Sequence, residues 1–145
     1  MYSIKYLAIF AIFSVALAAQ STLAQNPQTS RSQIIVAQDV KFKDLGGPQL
    51  GTVWGNADKG AHGSFLRLPK GFVSPVHLHT DDYDAVVVEG TVSNVEEGVK
   101  AIPMGPGSYF TQRGKVNHVT SCLSETPCLL YVTQRKAFDF ITPKH

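Results

Sequence analysis

The chain has 145 residues, of which 43% are hydrophobic and 17% charged, a composition that suits one globular domain and leaves little room for a second core. Its 13 Lys and Arg against 11 Asp and Glu give a net charge of +2. The basic residues are dispersed along the chain, with Arg135-Lys136 the one adjacent pair, so the chain lacks the electrostatic footprint of a nucleic-acid or anionic-membrane binder.

The first segment differs from the rest. Met1 to Tyr6 carries Lys5, Leu7 to Ala19 is apolar but for Ser14, and Gln20 to Gln25 is small and polar. A basic start, a short apolar run and an exit through Thr22-Leu23-Ala24 form the pattern of a secretory signal peptide. A membrane-spanning helix would need about 20 apolar residues, so no stable membrane anchor is expected. Residues 1–24 are read as the signal peptide and residues 25–145 as the mature domain, exported to the periplasm or the cell exterior. Cleavage is expected after Ala24 or Gln25, with Ala18 the earlier alternative. No Cys stands at that junction to carry a lipid.

From Gln33 onward, short runs rich in β-branched and aromatic residues alternate with turn signals. Strands are expected at Ile34–Ala37, Lys41–Asp44, Thr52–Trp54, Ser64–Leu68, Val76–His79 and Ala85–Glu89. Further strands follow at Thr91–Val95, Ser108–Gln112, His118–Cys122, Leu129–Gln134 and Phe138–Ile141. Gly46-Gly47-Pro48, Gly55-Asn56, Pro69-Lys70-Gly71, Glu89-Gly90 and Pro103 to Gly107 punctuate them. Turns recurring roughly every 8–12 residues, with no sustained helical periodicity, indicate an all-β sandwich or barrel. Cys122 and Cys128 flank Leu-Ser-Glu-Thr-Pro between two strand-like runs. In an oxidising compartment such a pair is expected to form a hairpin disulfide, with reduced core thiols as the alternative.

The chemistry concentrates around His77 and His79. Residues i and i+2 of a strand share a face about 7 Å apart, so two imidazoles enter one cavity and can take adjacent positions on an ion. A bare H-x-H is weak by itself, since two unrelated surface histidines give the same pattern. Its surroundings add specificity. Gly71, five residues, His77-Leu-His79, three residues, Tyr83-Asp84 and a closing Gly90 resemble the first motif of the cupin family. Gly107 through His118 resembles the second motif, with Arg113 where Pro is usual and Lys115 where Gly is usual. Gly51-Thr-Val-Trp54-Gly, Leu68-Pro-Lys-Gly71 and Lys136-Ala-Phe-Asp-Phe140 are similar to small bacterial single-domain cupins.

The resemblance implies an all-β jelly-roll barrel with one divalent metal ion held by His77, His79 and His118. The family's fourth ligand, a Glu seven residues before the closing Gly, falls on Tyr83. The longer spacing after His79 puts Asp84 there instead, and Asp82 is a further carboxylate within reach. Strand alternation favours Tyr83 inward and Asp84 outward, an order that a bulge between Thr80 and Tyr83 would reverse. A three-histidine face suits Fe(II), and also Zn, Mn, Ni or Cu, and it leaves positions open for substrate and O₂. The resemblance to three-histidine cupin dioxygenases such as acetylacetone dioxygenase implies oxidation of a small enolisable or phenolic molecule, with Tyr83 hydrogen-bonding to the bound ligand. The alternative is a non-catalytic module that binds a metal or a small ligand, since fold alone does not decide activity. Cupin barrels commonly pair through sheet faces, so the resemblance also implies a homodimer.

Trp54, Phe65, Phe72, Tyr109 and Phe110 are expected mainly in the core, with one or two lining the pocket. Arg67 and Arg113 are expected at the surface unless they orient an anionic substrate. His62, in a loop-like stretch, and the terminal His145 are not expected to be ligands.

Overall fold

The structure, a computed structural model, describes residues 32–144; the expected signal peptide and His145 lie outside the described residues. Eight strands follow a short 3-10 turn at Ala37–Asp39: β1 (Lys43–Asp44), β2 (Gln49–Gly55), β3 (His62–Leu68), β4 (Tyr83–Glu89), β5 (Val92–Glu96), β6 (Tyr109–Gln112), β7 (His118–Cys122) and β8 (Cys128–Gln134). A six-stranded sheet runs in the order β1-β2-β3-β8-β4-β6, and β5 pairs with β7 in a second sheet. All pairings are antiparallel. This is the all-β jelly-roll that the family resemblance implied, built on the short strands that the sequence pattern indicated. No helix of the described residues is long and apolar enough to cross a membrane.

β8 shows how sequence builds the barrel. Along Cys-Leu-Leu-Tyr-Val-Thr-Gln, every second residue from Cys128 to Gln134 is buried and those between are half-exposed, the period-2 signature of a strand with one face on a core. The register extends that inner face across the sheet. His62 pairs with Gln134, Gln134 with Tyr83, and Tyr83 with Gln112, so these four residues stand in one row. At the other end Leu68 pairs with Cys128. Reading each strand from that end, the shared-face residues change from apolar to polar: Leu68 to Ser64 and His62, Leu130 to Gln134, Val87 to Tyr83, Cys122 to His118. The apolar end holds Leu68, Val87, Val92 and Leu130, each at most 1% exposed and each stabilising the fold by about 1.5–3 kcal/mol. The polar end is where a site can be built without breaking that core.

Cys122 and Cys128 form the disulfide, with a Cα–Cα distance of 5.7 Å. The two cysteines are not hairpin neighbours. β7 and β8 belong to different sheets, so the bond ties one sheet to the other at the apolar end of the barrel. Gly90, at φ +79°, turns against it: a Cβ there would stand 2.8 Å from Cys128 Sγ. The disulfide is compatible with an exported location.

Three expected strands are altered. Ile34 to Val36 is exposed and unpaired, and Ala37 opens the 3-10 turn. Val76–His79 and Phe138–Ile141 are reduced to isolated bridges, because the H-x-H segment divides its backbone between two partners. His77 pairs with His118, whereas Leu78 pairs with Ile141. Neither partner receives two successive residues, so no continuous ladder forms, yet the segment is pinned on both sides.

Candidate metal centre

His77 and His118 exchange both backbone hydrogen bonds, His77 N–H to His118 O at 3.0 Å and His118 N–H to His77 O at 2.9 Å. That pairing brings their rings to 4.1 Å between centroids. His79, two residues along and on the same face, lies 5.0 Å from His77 and 5.2 Å from His118. Each of the three is at most 4% exposed. One potential ligand atom from each lies within 4.8 Å of the others, a span that small side-chain adjustments close onto an ion with metal–nitrogen distances of about 2.0–2.1 Å.

The hydrogen bonds assign the free nitrogen. Nδ1 of His77 lies 3.0 Å from Pro75 O, that of His79 2.5 Å from Asp139 O, and that of His118 3.0 Å from Val116 O. A carbonyl only accepts, so each Nδ1 carries the proton and each Nε2 keeps its lone pair. Nε2 of His118 is buried and has no hydrogen-bond partner. An orphaned acceptor in a protein interior costs free energy that an ion would recover. Burial lowers the pKa of all three, with His77 reaching about 4. For His79, burial outweighs both the Asp139 carbonyl and its nearby carboxylate. Three neutral imidazoles with free Nε2 atoms are the donor set that a borderline divalent ion takes.

The C-terminal segment completes the surroundings. Phe140 stacks on His77, centroids 4.1 Å apart and planes 15° apart. The Asp139 carboxylate accepts from Thr80 N–H at 3.0 Å and from the Thr80 hydroxyl, and the carbonyl of the same residue orients His79. This outer support was not legible in the H-x-H motif.

Tyr83 faces inward beside His79, ring to ring at 5.1 Å. Its hydroxyl lies 3.5 Å from Asn94 Oδ1, and burial raises its pKa so that the phenol stays protonated. Asp84, the alternative fourth ligand, faces outward and is exposed, accepting from Tyr109 at 2.5 Å and Thr111 at 2.8 Å. Asp82 is also exposed: it accepts from Gly114 N–H at 2.8 Å and pairs with Arg113 at 2.7 Å, which anchors the turn before His118. These contacts lower the pKa of both acids and keep them charged on the outside. The structure thus brings the three histidines and Tyr83 together and leaves Asp82 and Asp84 out.

Beside His118 lies a polar network that the sequence did not single out. Asn94 donates to Gln112 at 2.6 Å and accepts from Thr120 at 2.6 Å, while Gln112 reaches Glu96 at 3.4 Å. His62 is not in a loop but in β3, fully buried, with Nδ1 on Gly60 O and Nε2 without a partner. Of the aromatics, Phe72 lines the pocket and Phe110 packs near Tyr83, whereas Trp54 and Tyr109 are exposed. Phe65 is half-exposed, set edge-on to Tyr131. Arg67 stacks on Phe42 at 4.0 Å, away from the histidines. The open side of the cluster is a cavity of about 430 Å³, bounded by His77, His79 and Tyr83 and walled by leucines, Val132, Phe138 and Phe140.

The barrel has the cupin fold, with a metal-type donor set in its histidine cluster. The chain belongs to the family described as a domain of unknown function, DUF4437, which matches residues 30–142. No functionally curated protein matches it. Among solved structures, an RmlC-like cupin from Shewanella frigidimarina is 22% identical, covering 75% of this chain and 95% of its own, with a TM-score of 0.61. The polyketide cyclase RemF from Streptomyces resistomycificus is 15% identical over 79% and 87%, at 0.65. KdgF from Halomonas is 18% identical over 71% and 94%, at 0.59. At these identities the likeness establishes the shared fold.

Proposed function

We propose that this cupin binds one divalent metal ion through His77, His79 and His118, with Fe(II) favoured, and oxidises a small enolisable or phenolic molecule with O₂. The observation that carries the reading is the convergence of three neutral imidazoles, with no carboxylate among them, at the edge of an apolar-walled cavity. The ion would supply Lewis acidity and open positions for a substrate oxygen and O₂. The residues of the chain supply the rest. The histidines present Nε2 donors whose orientation is set by carbonyls of the backbone. Phe140 and Phe138 lay apolar rings against His77 and His79. Tyr83, held protonated, donates a hydrogen bond to an oxygen of the substrate and does not act as a base. The polyketide cyclase among the structural neighbours is in keeping with a barrel of this kind acting on an enolisable carbonyl compound.

The test is O₂ uptake by protein loaded with Fe(II) or with Zn(II), against a panel of β-dicarbonyls and phenols. Substrate-dependent uptake with iron, none with zinc, and none in His118→Ala are expected. Iron-loaded protein that stays silent across the panel, with its ligand returned unchanged, would establish the binding module instead.

A further inference from the structure

We infer that the cavity selects one shape of molecule: an oxygen headgroup at one end and an uncharged hydrocarbon body of about a dozen non-hydrogen atoms. The inference rests on the metal-centred reading above for its headgroup and on the cavity wall alone for its body.

The wall contains no Lys, Arg, Asp or Glu. A ligand charge away from the histidines would therefore lose its hydration and meet no counter-charge. Only an oxygen anion beside the histidines has a partner to balance it.

The polar groups of the wall are largely committed elsewhere. Ser74 Oγ accepts from Thr120 N–H at 2.9 Å and contacts His77 Nδ1. Thr120 donates its hydroxyl to Asn94 at 2.6 Å, and Gln134 donates to Asp81 O at 3.3 Å. A polyhydroxylated ligand would exchange bonds to water for few in return, and each unmatched hydroxyl weakens binding roughly 10-fold. These groups also sit at the histidine end. Leu45, Leu50, Leu66, Leu68, Phe72 and Val132 dominate the rest of the wall, which is apolar surface for an apolar body. The cavity of about 430 Å³ holds about 14 non-hydrogen atoms at the density of liquid water, where each takes about 30 Å³.

The experiment is calorimetric titration of the full protein, zinc-loaded and metal-free, with phenol, 4-ethylphenol, 4-butylphenol and 4-hexylphenol. Metal content is measured on the same samples. Each methylene should tighten binding about 4-fold in both preparations. 4-(4-Hydroxyphenyl)butanoate, which places a carboxylate in the apolar half, should bind at least about 100-fold more weakly than 4-butylphenol. A flat alkyl series, or a butanoate within about 10-fold of 4-butylphenol, overturns the inference. If the metal-centred reading alone is wrong, the two preparations bind each phenol alike while the alkyl slope persists.

Discussion

Asp139 offers the most direct test of how the fold supports the histidine cluster, because it touches the site only through His79 and Thr80. In Asp139→Ala the Thr80 N–H and hydroxyl lose their shared acceptor. Hydrogen bonds to a charged group contribute about 1.5–3 kcal/mol each when well shielded. The Asp139 side chain is 32% exposed, so solvent screening reduces the pair to about 2 kcal/mol. The larger consequence is positional. The Asp139 carbonyl is the acceptor for His79 Nδ1 at 2.5 Å, and freeing the segment lets that carbonyl drift. Loss of an outer partner of a metal-ligating histidine costs roughly 10–100-fold in metal affinity. Competition between the protein and a chromogenic zinc chelator at pH 7.5 measures the effect, with urea denaturation of the metal-free protein run in parallel. Asp139→Asn retains a carbonyl oxygen for the Thr80 N–H and should lose no more than about 5-fold. If Asp139→Ala stays folded and binds zinc within about 2-fold of the parent, the C-terminal segment does not support His79 and the reasoning fails.

His77→Ala and His118→Ala should each lose most bound metal while retaining the far-ultraviolet circular dichroism of a strand-rich fold; full metal content in both would refute the cluster as the ligand set. His77 has a folded pKa of about 4 against 6.5, so its stabilising contribution is complete above pH 6.5 and is lost as pH falls toward 4. His79 and His118 shift in the same direction. The unfolding free energy of metal-free protein, measured by urea denaturation, should therefore drop between pH 7 and pH 4.5, by on the order of 2 kcal/mol from His77 alone, and an unchanged value would contradict the burial argument. Removing the disulfide in a Cys122→Ala/Cys128→Ala variant should cost about 2 kcal/mol for so short a loop; two labelled thiols in denatured, unreduced parent protein would show that the bond does not form. Lys115, at φ 63°, pays for a left-handed backbone that Gly adopts freely, so Lys115→Gly should raise the melting temperature by the equivalent of about 0.5 kcal/mol and Lys115→Val should lower it.

The strand pattern was legible wherever one face of a strand meets the core. β3, β4, β7 and β8 lie within a few residues of where alternation and turn residues put them. The pattern failed for Val76–His79 and Phe138–Ile141, where the apolar and aromatic content is that of a strand but the hydrogen bonds go to different partners at successive residues. Propensity reports that a residue fits an extended backbone, and it does not report whether a single neighbour runs alongside. Ile34–Ala37 failed for the opposite reason: its residues suit a strand, but none of them is buried or bridged. The cysteine spacing pointed to a bond but not to its role, because a span of six residues fits a hairpin and a crossing between sheets equally well.

At the site, spacing put His77 and His79 on one face and favoured Tyr83 inward, whereas His118 came from the resemblance to the second cupin motif. Asp139, Asn94, Gln112 and Gln134 could not be read in either way, since each reaches its position through a long-range pairing that no local pattern encodes. Lys115 shows how a departure from the family motif can preserve geometry. The residue stands where Gly is usual and adopts the left-handed backbone that Gly would take. Its N–H donates to His79 O at 2.7 Å. The turn is therefore held from two sides, by that bond and by the Asp82 carboxylate on Gly114 N–H. Next to it, Gly114 passes so close to Thr80 and Asp81 that a Cβ would lie 2.8 Å from Thr80 O. The chain tolerates Lys at the strained position and keeps Gly at the crowded one, because a strained backbone costs about 1–2 kcal/mol whereas a clash with the main chain following His79 would displace a ligand-bearing segment.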